Sequence, residues 1–306
     1  MTQDSAPFSS RPRKIVIIAN PVSGGGRALR AIRRHIRQWP HPDWNIEVLT
    51  TRSPDHAGSL ARQLLEDPPD VLGVCGGDGT LNEVASRIPD PPFPVAVIPA
   101  GTANVIAREL GLPLGPVAAL EAALGGEEKR VDLGELGPRP GRRFLIVAGV
   151  GFDAYVVSKV RPGLKAATGM AAYAAAILGC LQSYPFPEFQ VALGGRTYTA
   201  TSCLLCNARS YGGGLLFCPE ADMSDGFLDV LIVQGARRMA LAWFLLRAWL
   251  GKADSPEWVL RVRADSLKLS GRKGIPVHAD GELVAGFPPE IRISPRAFPL
   301  VLARKT

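Results

Sequence analysis

In residues 13–133, short unbroken hydrophobic runs alternate with stretches in which apolar residues recur at helical spacing. Unbroken Val/Ile runs are typical of parallel strands that are covered on both faces. Their alternation with helical segments predicts a βαβ series, and hence an α/β domain with a doubly wound, mostly parallel sheet. The predicted strands are Lys14–Asn20, Trp44–Thr51, Val71–Cys75 and Val95–Ala100, and the predicted helices are Ala28–Trp39, His56–Glu66, Leu81–Ile88, Asn104–Leu110 and Val117–Leu124.

Beyond the Pro/Gly-rich stretch Gly134–Gly141, short strands dominate the pattern. Segments such as Val259–Ser270 alternate apolar and polar residues, which is typical of antiparallel strands with one wet face. A β-rich second domain is therefore predicted over 134–294, interrupted by helices at about 152–184 and 236–251. Whether 295–306 returns to complete the first domain stays open, and the Ser/Pro-rich residues 1–12 are predicted to be a disordered tail. The other strands predicted here are Phe144–Val150, Phe189–Leu193, Arg196–Asn207, Phe227–Gln234, Val277–Ala279, Ile291–Ser294 and Pro299–Leu302.

Three of the predicted strands of the first domain end in polar, glycine-rich turns. Gly76–Thr80 follows one strand, and Asn20–Gly26 and Gly101–Asn104 follow two others. Glycines let a backbone approach a ligand closely, and helix N-termini attract negative charge. In parallel sheets ligands bind beyond the carboxyl ends of the strands, where these turns would gather. The pattern predicts a nucleotide site. Asp78 would repel phosphate unless a metal carried by the nucleotide intervenes.

Two acidic turns lie in the second half of the chain. Glu220–Asp229 places four acids around Gly226, and such oxygen-rich turns can bind hard divalent cations. A plain Asp-Gly hairpin turn explains the same residues equally well. The second acidic turn, His278–Glu282, is likewise explained either as a functional site or as a plain Asp-Gly hairpin turn. In the first case, one of its carboxylates could act as a general base on an alcohol.

Other nucleotide and metal motifs are absent. The chain has neither the phosphate loop of P-loop NTPases nor a dinucleotide fingerprint, and its four histidines show no ligand spacing. The net charge of +7 suits anionic partners, either phosphates or an acidic membrane surface. Nucleic acid is disfavoured because no binding motif accompanies the charge.

Cysteine usage and apolar segments bear on localisation. Cys203 and Cys206 lie three apart on a predicted strand and so face opposite sides, which argues against a shared metal. With no secretory signal, we expect a cytoplasmic protein with reduced thiols. The apolar segment Met239–Leu250 is too short to span a bilayer, which takes about 20 residues. It is read first as a packing helix, with an interfacial membrane helix as the alternative, so that peripheral contact with the inner face of the membrane stays open.

Taken together, the motifs resemble the diacylglycerol kinase catalytic family, in particular its bacterial soluble lipid kinase branch. The matching elements follow the family order over nearly the whole chain, although the Gly-Gly-Asp-Gly-Thr element alone is shared with NAD kinases, 6-phosphofructokinases and sphingosine kinases. The elements are Asn20-Pro21-x-Ser23-Gly24, Gly76–Asn82, Pro99–Asn104, Gly149-x-Gly151-Phe152-Asp153, Asp225-Gly226 and Asp280-Gly281-Glu282.

The resemblance implies an α/β nucleotide domain, a β-sandwich-like second domain and an active site in the cleft between them. It implies that Glu282 is the general base for a lipid hydroxyl and that Asp78 helps to hold Mg²⁺–ATP. It also implies a structural Mg²⁺ held by Asp225 with backbone carbonyls near Asp222 and Phe227. The residues implied in ATP binding are Asn20, Pro21, Val22, Ser23, Gly24, Thr51, Gly76, Gly77, Asp78, Gly79, Thr80, Leu81, Asn82 and Thr102.

The expected function is therefore that of an ATP-dependent lipid kinase acting on a membrane alcohol, with diacylglycerol as the first candidate. Three other acceptors stay open: a sphingoid base, phosphatidylglycerol and NAD. A nucleotide-binding regulatory protein without transfer activity is the alternative of a different class. The sequence gives no indication of the oligomeric state.

Overall fold

A computed structural model describes residues 13–138, 141–159, 175–211, 215–235, 238–251 and 256–304 of the 306-residue chain. The predicted tail, residues 1–12, lies outside the described residues. The chain forms an N-terminal α/β domain followed by a β-rich domain. The first part contains β1 (Arg13–Ala19), a 3₁₀ turn (Ser23–Gly26), α1 (Arg27–Ile36), β2 (Trp44–Thr50), α2 (His56–Gln63), β3 (Val71–Gly76), α3 (Asp78–Arg87), β4 (Val95–Pro99), α4 (Val105–Glu109), α5 (Pro116–Leu124) and β5 (Glu127–Leu136).

The β-rich part continues to the end of the described chain. Helix α7 is described at 175–183, and the predicted residues 160–174 before it lie outside the described part. The other elements are β6 (Arg142–Phe144), β7 (Val147–Gly151), α6 (Phe152–Lys159), β8 (Phe189–Leu193), β9 (Arg196–Ala200), β10 (Ser202–Cys206), β11 (Ser210–Tyr211), β12 (Leu215–Leu216), β13 (Leu228–Val233), α8 (Arg238–Trp249), β14 (Val259–Ala264), β15 (Ser266–Gly271), β16 (Val277–Ala279), β17 (Glu282–Leu283) and β18 (Glu290–Leu302).

The sheet of the N-terminal domain confirms the predicted parallel arrangement. Its strands β2, β1, β3 and β4 lie side by side, and each neighbouring pair is parallel. Every residue of β3 is buried, as the unbroken apolar run requires for a strand covered on both faces. The carboxyl ends of β1, β3 and β4 therefore meet at one edge of the sheet.

The last strand joins the two domains. Near its C-terminal end, β18 pairs in parallel with β4 through Leu300 and Val95. Near its start it pairs antiparallel with β15, and along most of its length with β5. A bulge between Ser294 and Phe298 lets one strand serve both parts. The C-terminus thus returns to the first sheet, which hydrophobic periodicity had left open, and β5, which the sequence did not predict, is its antiparallel partner.

Two strands predicted as single runs are each divided between two sheets. Arg196–Asn207 breaks at Thr201, and Val259–Ser270 breaks at Asp265. On either side of each break, one strand belongs to the large sheet and the other to an antiparallel sheet of order β14-β13-β10-β7-β16-β17. Strands that change sheets at such corners build a sandwich around one apolar core. The apolar alternation changes phase at the second corner, from Val262 and Ala264 to Leu267 and Leu269, although the predicted strand ran through it.

The cysteine geometry agrees with the reading from sequence. Cys203 belongs to the core between the two sheets, whereas Cys206 belongs to the core on the other face of β10. Both thiols are free and buried. Within the described residues, none of the helices has the length and apolar character needed to cross a bilayer.

Candidate active site

The polar turns after β1 and β3 are joined by one side chain. Nδ2 of Asn20 donates to Oγ1 of Thr80 at 3.3 Å, and its Oδ1 accepts the backbone N–H of Val22 at 3.1 Å. The backbone N–H of Asn20 donates to the carbonyl of Cys75 at 2.8 Å. Asn20 therefore fixes the first turn against the start of α3, which explains why an amide stands at this position.

Glycines allow the three turns to pack closely. A Cβ on Gly24, whose φ is +55°, would overlap the carbonyl oxygen of Ala100. A Cβ on Gly101 would lie 2.7 Å from the Cα of Gly77, closer than two carbon atoms can approach. The turn after β4 thus packs against both of the others, and larger residues would separate them.

Asp78 has a structural role that the sequence did not reveal. Its two carboxylate oxygens accept the backbone N–H groups of Val105 at 3.0 Å and Ile106 at 3.1 Å. Negative charge is favourable at a helix N-terminus, so Asp78 stabilises the start of α4. Beside it, Asn104 closes the third turn by hydrogen bonds of 2.9 Å to both backbone groups of Gly101. The predicted contact of Asp78 with Mg²⁺–ATP stays a prediction.

The other residues predicted to bind ATP differ in exposure. The exposed ones are Pro21, Val22, Gly79 and Thr102, the partly buried ones are Asn20, Ser23, Gly24 and Gly77, and the buried ones are Thr51, Gly76, Thr80, Leu81 and Asn82. The side chain of Leu81 packs in the hydrophobic core, and its backbone N–H donates to the carbonyl of Gly77 at 3.2 Å. Gly79 lies in the first turn of α3 with open space around it, where an anion would meet free N–H groups.

Glu282 follows a tight hairpin turn between β16 and β17. Asp280 and Gly281 occupy the turn with positive φ values of 49° and 83°. Such a turn is typical of Asp-Gly, as the structural reading of this motif predicted. The carboxylate of Glu282 is half-exposed and forms an ion pair with Arg142 of β6. The hairpin therefore presents Glu282 at the surface, where it can meet a second molecule.

The carboxylate of Asp280 points back into the protein. It accepts three backbone N–H groups, those of Leu145 at 2.7 Å and of Ile146 and Val147 at 2.9 Å each. Burial raises the pKa of Asp280 to about 6, against the opposing effect of these hydrogen bonds and of His278. Asp280 thus anchors the turn that carries Glu282.

Helix α3 runs from the second polar turn to the boundary between the two domains. Across the domain boundary, Nη1 of Arg143 in β6 donates to the carbonyl of Ser86 in α3 at 2.8 Å. Burial raises the pKa of Glu83, also in α3, and the negative charge of Glu282 contributes to the same shift. The helix that begins at Asp78 in the second polar turn therefore reaches the neighbourhood of Glu282.

An Asp–His pair lies beneath the hairpin. Nδ1 of His278 accepts the backbone N–H of Gly281 at 3.2 Å. The ring proton is therefore assigned to Nε2, which donates to Oδ2 of Asp153. His278 is fully buried, whereas Asp153 is partly exposed. The sequence shows no ligand spacing for His278, and the separation of 125 positions between the partners hides the pair from any spacing argument.

The Gly-x-Gly-Phe-Asp motif provides the space for this pair. Gly149 lies directly opposite His278 in the sheet. A Cβ on Gly149 would lie 2.5 Å from Oδ2 of Asp153, and closer still to Nε2 of His278. We expect Gly149→Ala to destabilise the fold by about 1–3 kcal/mol, because the pair would have to move apart. Urea unfolding followed by circular dichroism measures this change.

Gly125→Ala is the matched control. Gly125 ends α5 with a φ of −111°, and a Cβ there meets no atom within 4 Å. This substitution should leave the free energy of unfolding nearly unchanged. Equal stability of the two variants would show that the pair tolerates a larger neighbour.

An apolar pocket opens beside Asp153. It encloses about 610 Å³ of space, part of it open to solvent. Among its lining residues, Asp153 is the one with an ionisable carboxylate. The pocket is lined by Phe152, Asp153, Val156, Ile177, Ser202, Leu204, Tyr211, Leu215, Phe217, Leu231, Val233, Leu241, Phe244 and Leu245. Such a lining suits a largely hydrocarbon ligand with a polar group at one end.

In the turn predicted to bind Mg²⁺, the carboxylates of Asp222 and Asp225 form hydrogen bonds and an ion pair with other groups of the protein. Oδ1 of Asp225 accepts the backbone N–H of Phe227 at 2.9 Å, and Oδ2 forms an ion pair with Arg263. Oδ1 of Asp222 accepts both the N–H and the hydroxyl of Ser224. Among the described residues, no group of three or more His, Cys, Asp or Glu is arranged as metal ligands. Both oxygens of Asp225 thus have protein partners, and the structural Mg²⁺ held by Asp225 with backbone carbonyls stays a prediction.

Asp132 is a further acidic residue at this turn that the sequence reading did not single out. Its buried carboxylate accepts the backbone N–H of Gly226 at 2.7 Å and that of Arg296 at 2.6 Å. Burial raises its pKa, and the negative charges of Asp225 and Asp222 add to the shift. A lone Asp in a strand gives no sequence signal, because its partners are 94 and 164 residues away.

The chain has a two-domain architecture, an N-terminal α/β domain with a mostly parallel sheet followed by a β-rich domain, which is consistent with the diacylglycerol kinase and NAD kinase-like superfamily. Residues 14–136 match the family described as the diacylglycerol kinase catalytic domain. Residues 146–302 match the YegS C-terminal NAD kinase beta sandwich-like domain. The chain belongs to the diacylglycerol kinase catalytic domain family of lipid kinases, which confirms the resemblance and the fold class predicted from the sequence.

Relatives of this family match almost the whole chain. A diacylglycerol kinase of Mycobacterium tuberculosis (strain H37Rv) is 31% identical over 297 residues, covering 95% of this chain and 96% of its own. A probable lipid kinase YegS-like protein of Pseudomonas aeruginosa is 30% identical, covering 93% and 92% of the two chains. The crystal structure of a diacylglycerol kinase from Bacillus anthracis str. Sterne superposes with a TM-score of 0.73 at 22% identity, covering 97% and 98%.

Proposed function

We propose that the protein transfers the γ-phosphoryl group of ATP to the hydroxyl of a membrane lipid, with diacylglycerol as the acceptor and phosphatidic acid as the product. The observation that carries the proposal is the connection between the apolar pocket and Glu282. Asp153 lines the pocket and binds His278, and His278 accepts the N–H of Gly281, the residue before Glu282. A lipid in the pocket would therefore place its polar end near the proposed base.

Each group has one task in the proposed reaction. The polar turns bind the phosphates through backbone N–H groups, and the Mg²⁺ that accompanies ATP neutralises phosphate charge. Glu282 accepts the proton of the lipid hydroxyl. The hydroxyl oxygen then forms a bond to the γ-phosphorus while the bond from that phosphorus to the bridging oxygen breaks, and ADP leaves with the electron pair. We assign phosphate binding at the polar turns to the residues that were predicted to bind ATP.

The lining of the pocket favours a lipid over NAD as the acceptor. Apolar side chains form most of the wall, and a dinucleotide acceptor would need more polar partners than this wall offers. The names of the relatives support the same choice, since both are named for lipid substrates or lipid kinase activity. The pocket does not by itself distinguish diacylglycerol from a sphingoid base or phosphatidylglycerol.

A transfer assay tests the proposal. The protein is incubated with labelled ATP and one acceptor in detergent micelles, with diacylglycerol, sphingosine, phosphatidylglycerol and NAD compared in parallel. We expect label in phosphatidic acid. Label in another product would reassign the acceptor, and ATP binding without transfer to any of the four would favour a regulatory nucleotide-binding protein.

Variants at Asp225 test the proposed structural Mg²⁺. Asp225→Ala removes one hydrogen bond and one partly exposed ion pair, so we expect it to destabilise the fold by about 1 kcal/mol. If Mg²⁺ also binds this carboxylate, the variant should lose the part of the Mg²⁺ stimulation that the free metal adds beyond the ATP complex. Thermal unfolding and activity as functions of free Mg²⁺ measure both effects.

Arg263→Gln provides the comparison, because it breaks the ion pair and keeps the carboxylate. The Mg²⁺ proposal requires that this variant retain the response to free Mg²⁺ that Asp225→Ala loses. If both variants are destabilised alike and both respond to Mg²⁺ as the unmodified protein does, then Asp225 pairs with Arg263 and does not bind Mg²⁺.

A further inference from the structure

Helix α8 is apolar on both faces, and one of them is exposed in the part of the chain that the structure describes. Leu241, Phe244 and Ala248 are buried against the second domain. On the other side Met239 is 83% exposed, and Trp243 is 59% exposed. This side also carries Leu246 and Leu250, and the four residues follow the spacing of a single helical stripe. A helix that is apolar all round is normally buried on every side. We therefore expect another molecule to bind the exposed stripe.

The stripe is the main concentration of exposed apolar residues in the described chain. Four of the ten large hydrophobic residues that are exposed there belong to it. A fifth, Leu178, lies on α7 next to Ile177, which lines the apolar pocket together with α8. Single exposed apolar residues are ordinary, whereas a continuous group marks a contact surface.

The charges on this helix favour a lipid surface. From Arg238 to Trp249 the helix carries two arginines and no acidic residue, and the net charge of the chain is +7. Arg238 holds the start of α8 to the carbonyls of Gln182 and Tyr184, close to the end of α7. Basic and aromatic residues around an apolar face are typical of helices that lie in the headgroup region of anionic membranes.

The position of α8 adds a second argument. Leu241, Phe244 and Leu245 of this helix form part of the pocket wall, so one face lines the pocket while the other is exposed. A helix placed in this way separates the pocket from whatever covers the stripe. If the cover is a bilayer, an acyl chain passes along α8 from the membrane into the pocket without crossing water.

We propose that α8 is a membrane-docking helix whose exposed stripe, formed by Met239, Trp243, Leu246 and Leu250, lies in the headgroup region of an anionic bilayer. The inference rests on the proposed function in taking the acceptor to be a lipid. It goes further in assigning the surface by which the protein meets that lipid.

Vesicle flotation tests the docking surface without any phosphoryl transfer. The full chain is mixed with vesicles of phosphatidylcholine and phosphatidylglycerol in the absence of ATP. We expect the pair of substitutions Trp243→Ser and Leu246→Ser to weaken vesicle binding at least about tenfold, because two large apolar side chains no longer enter the bilayer. Both side chains are exposed, so thermal unfolding should be unchanged.

The pair Leu65→Ser and Leu114→Ser is the matched control. These leucines are 42% and 43% exposed and lie in the N-terminal domain, so their loss should leave vesicle binding unchanged. Equal binding by the α8 variant and the unmodified protein overturns the proposal. So does a change from dimer to monomer in light scattering with no loss of flotation, because the stripe would then be an interface between two copies.

Activity in detergent micelles separates this proposal from the proposed function. The α8 variant should phosphorylate diacylglycerol in micelles at the rate of the unmodified protein and lose activity on vesicles. If neither protein phosphorylates any lipid in micelles, the proposed function fails, while flotation still decides whether α8 binds a membrane.

Discussion

Replacing Glu282 by glutamine should lower the rate of phosphoryl transfer by about 10²- to 10⁴-fold, the usual contribution of a general base. Glutamine keeps the size of the side chain but cannot take the proton from the acceptor hydroxyl. Because Glu282 is half-exposed and belongs to the second domain, ATP binding to the polar turns of the first domain should not change. Single-turnover transfer and equilibrium binding of ATP measure the two properties separately.

The ion pair with Arg142 calls for a control. Glu282→Gln also breaks this pair, so a loss of activity could come from the position of β6 rather than from the missing base. Glu47→Gln breaks a comparable exposed pair with Lys14, far along the chain from Glu282, and should leave the rate unchanged. Equal loss of ATP binding and transfer in Glu282→Gln would make Glu282 a structural residue.

Asp280→Ala should have the largest effect on stability. The substitution leaves the N–H groups of Leu145, Ile146 and Val147 without their acceptor. An unmet buried donor costs about 1–3 kcal/mol, so we expect a loss of about 3 kcal/mol or more in the free energy of unfolding. Activity should fall as well, because the turn that presents Glu282 loses its anchor. Urea unfolding and the transfer assay at a temperature where the variant is folded check both effects.

Asp265→Ala is the control for this prediction. Asp265 is exposed, and its carboxylate accepts a hydrogen bond from the neighbouring Ser266. Its removal should change the stability by no more than about 0.5 kcal/mol, as is usual for surface substitutions. If Asp280→Ala is equally mild, water replaces the carboxylate at the three amides and the anchoring role is wrong.

The sequence predicted the first domain well because its elements are locally encoded. Unbroken apolar runs and helical spacing place β1, β3 and their helices within a few residues of the observed bounds. The polar turns could also be predicted, since parallel strands bring their carboxyl ends to one edge. The ATP residues assigned to these turns remain predictions, although the turns themselves pack together as expected.

The second domain was harder to predict because long-range pairing decides its structure. Alternation identified most of its strands, but the predicted strands ran through Thr201 and Asp265, which are corners between two sheets. It also missed β5, whose polar start Glu127–Arg130 does not resemble a strand. The side chain of Glu135 at its other end is buried, where Arg292, Arg143 and the backbone N–H of Gly141 contact its carboxylate.

In the candidate site, too, features encoded by short motifs could be predicted and long-range contacts could not. Glu282 and the motif from Gly149 to Asp153 could be found from short motifs, whereas the contact between Asp153 and His278 could not, because nothing in the sequence joins two motifs 125 positions apart. Asp78 illustrates the reverse case: its position in the glycine turn suggested a metal, and the structure shows both oxygens bound to the start of α4.

The long final strand has a consequence for how the protein is made. Residues near Leu300 supply the neighbour of β4, so the edge of the N-terminal sheet stays open while the ribosome is still translating the rest of the chain. Domains usually fold in the order in which they are synthesised. Here the earlier domain must wait for the last segment to emerge, and a nascent chain lacking its final residues exposes an unpaired sheet edge to chaperones or to other nascent chains.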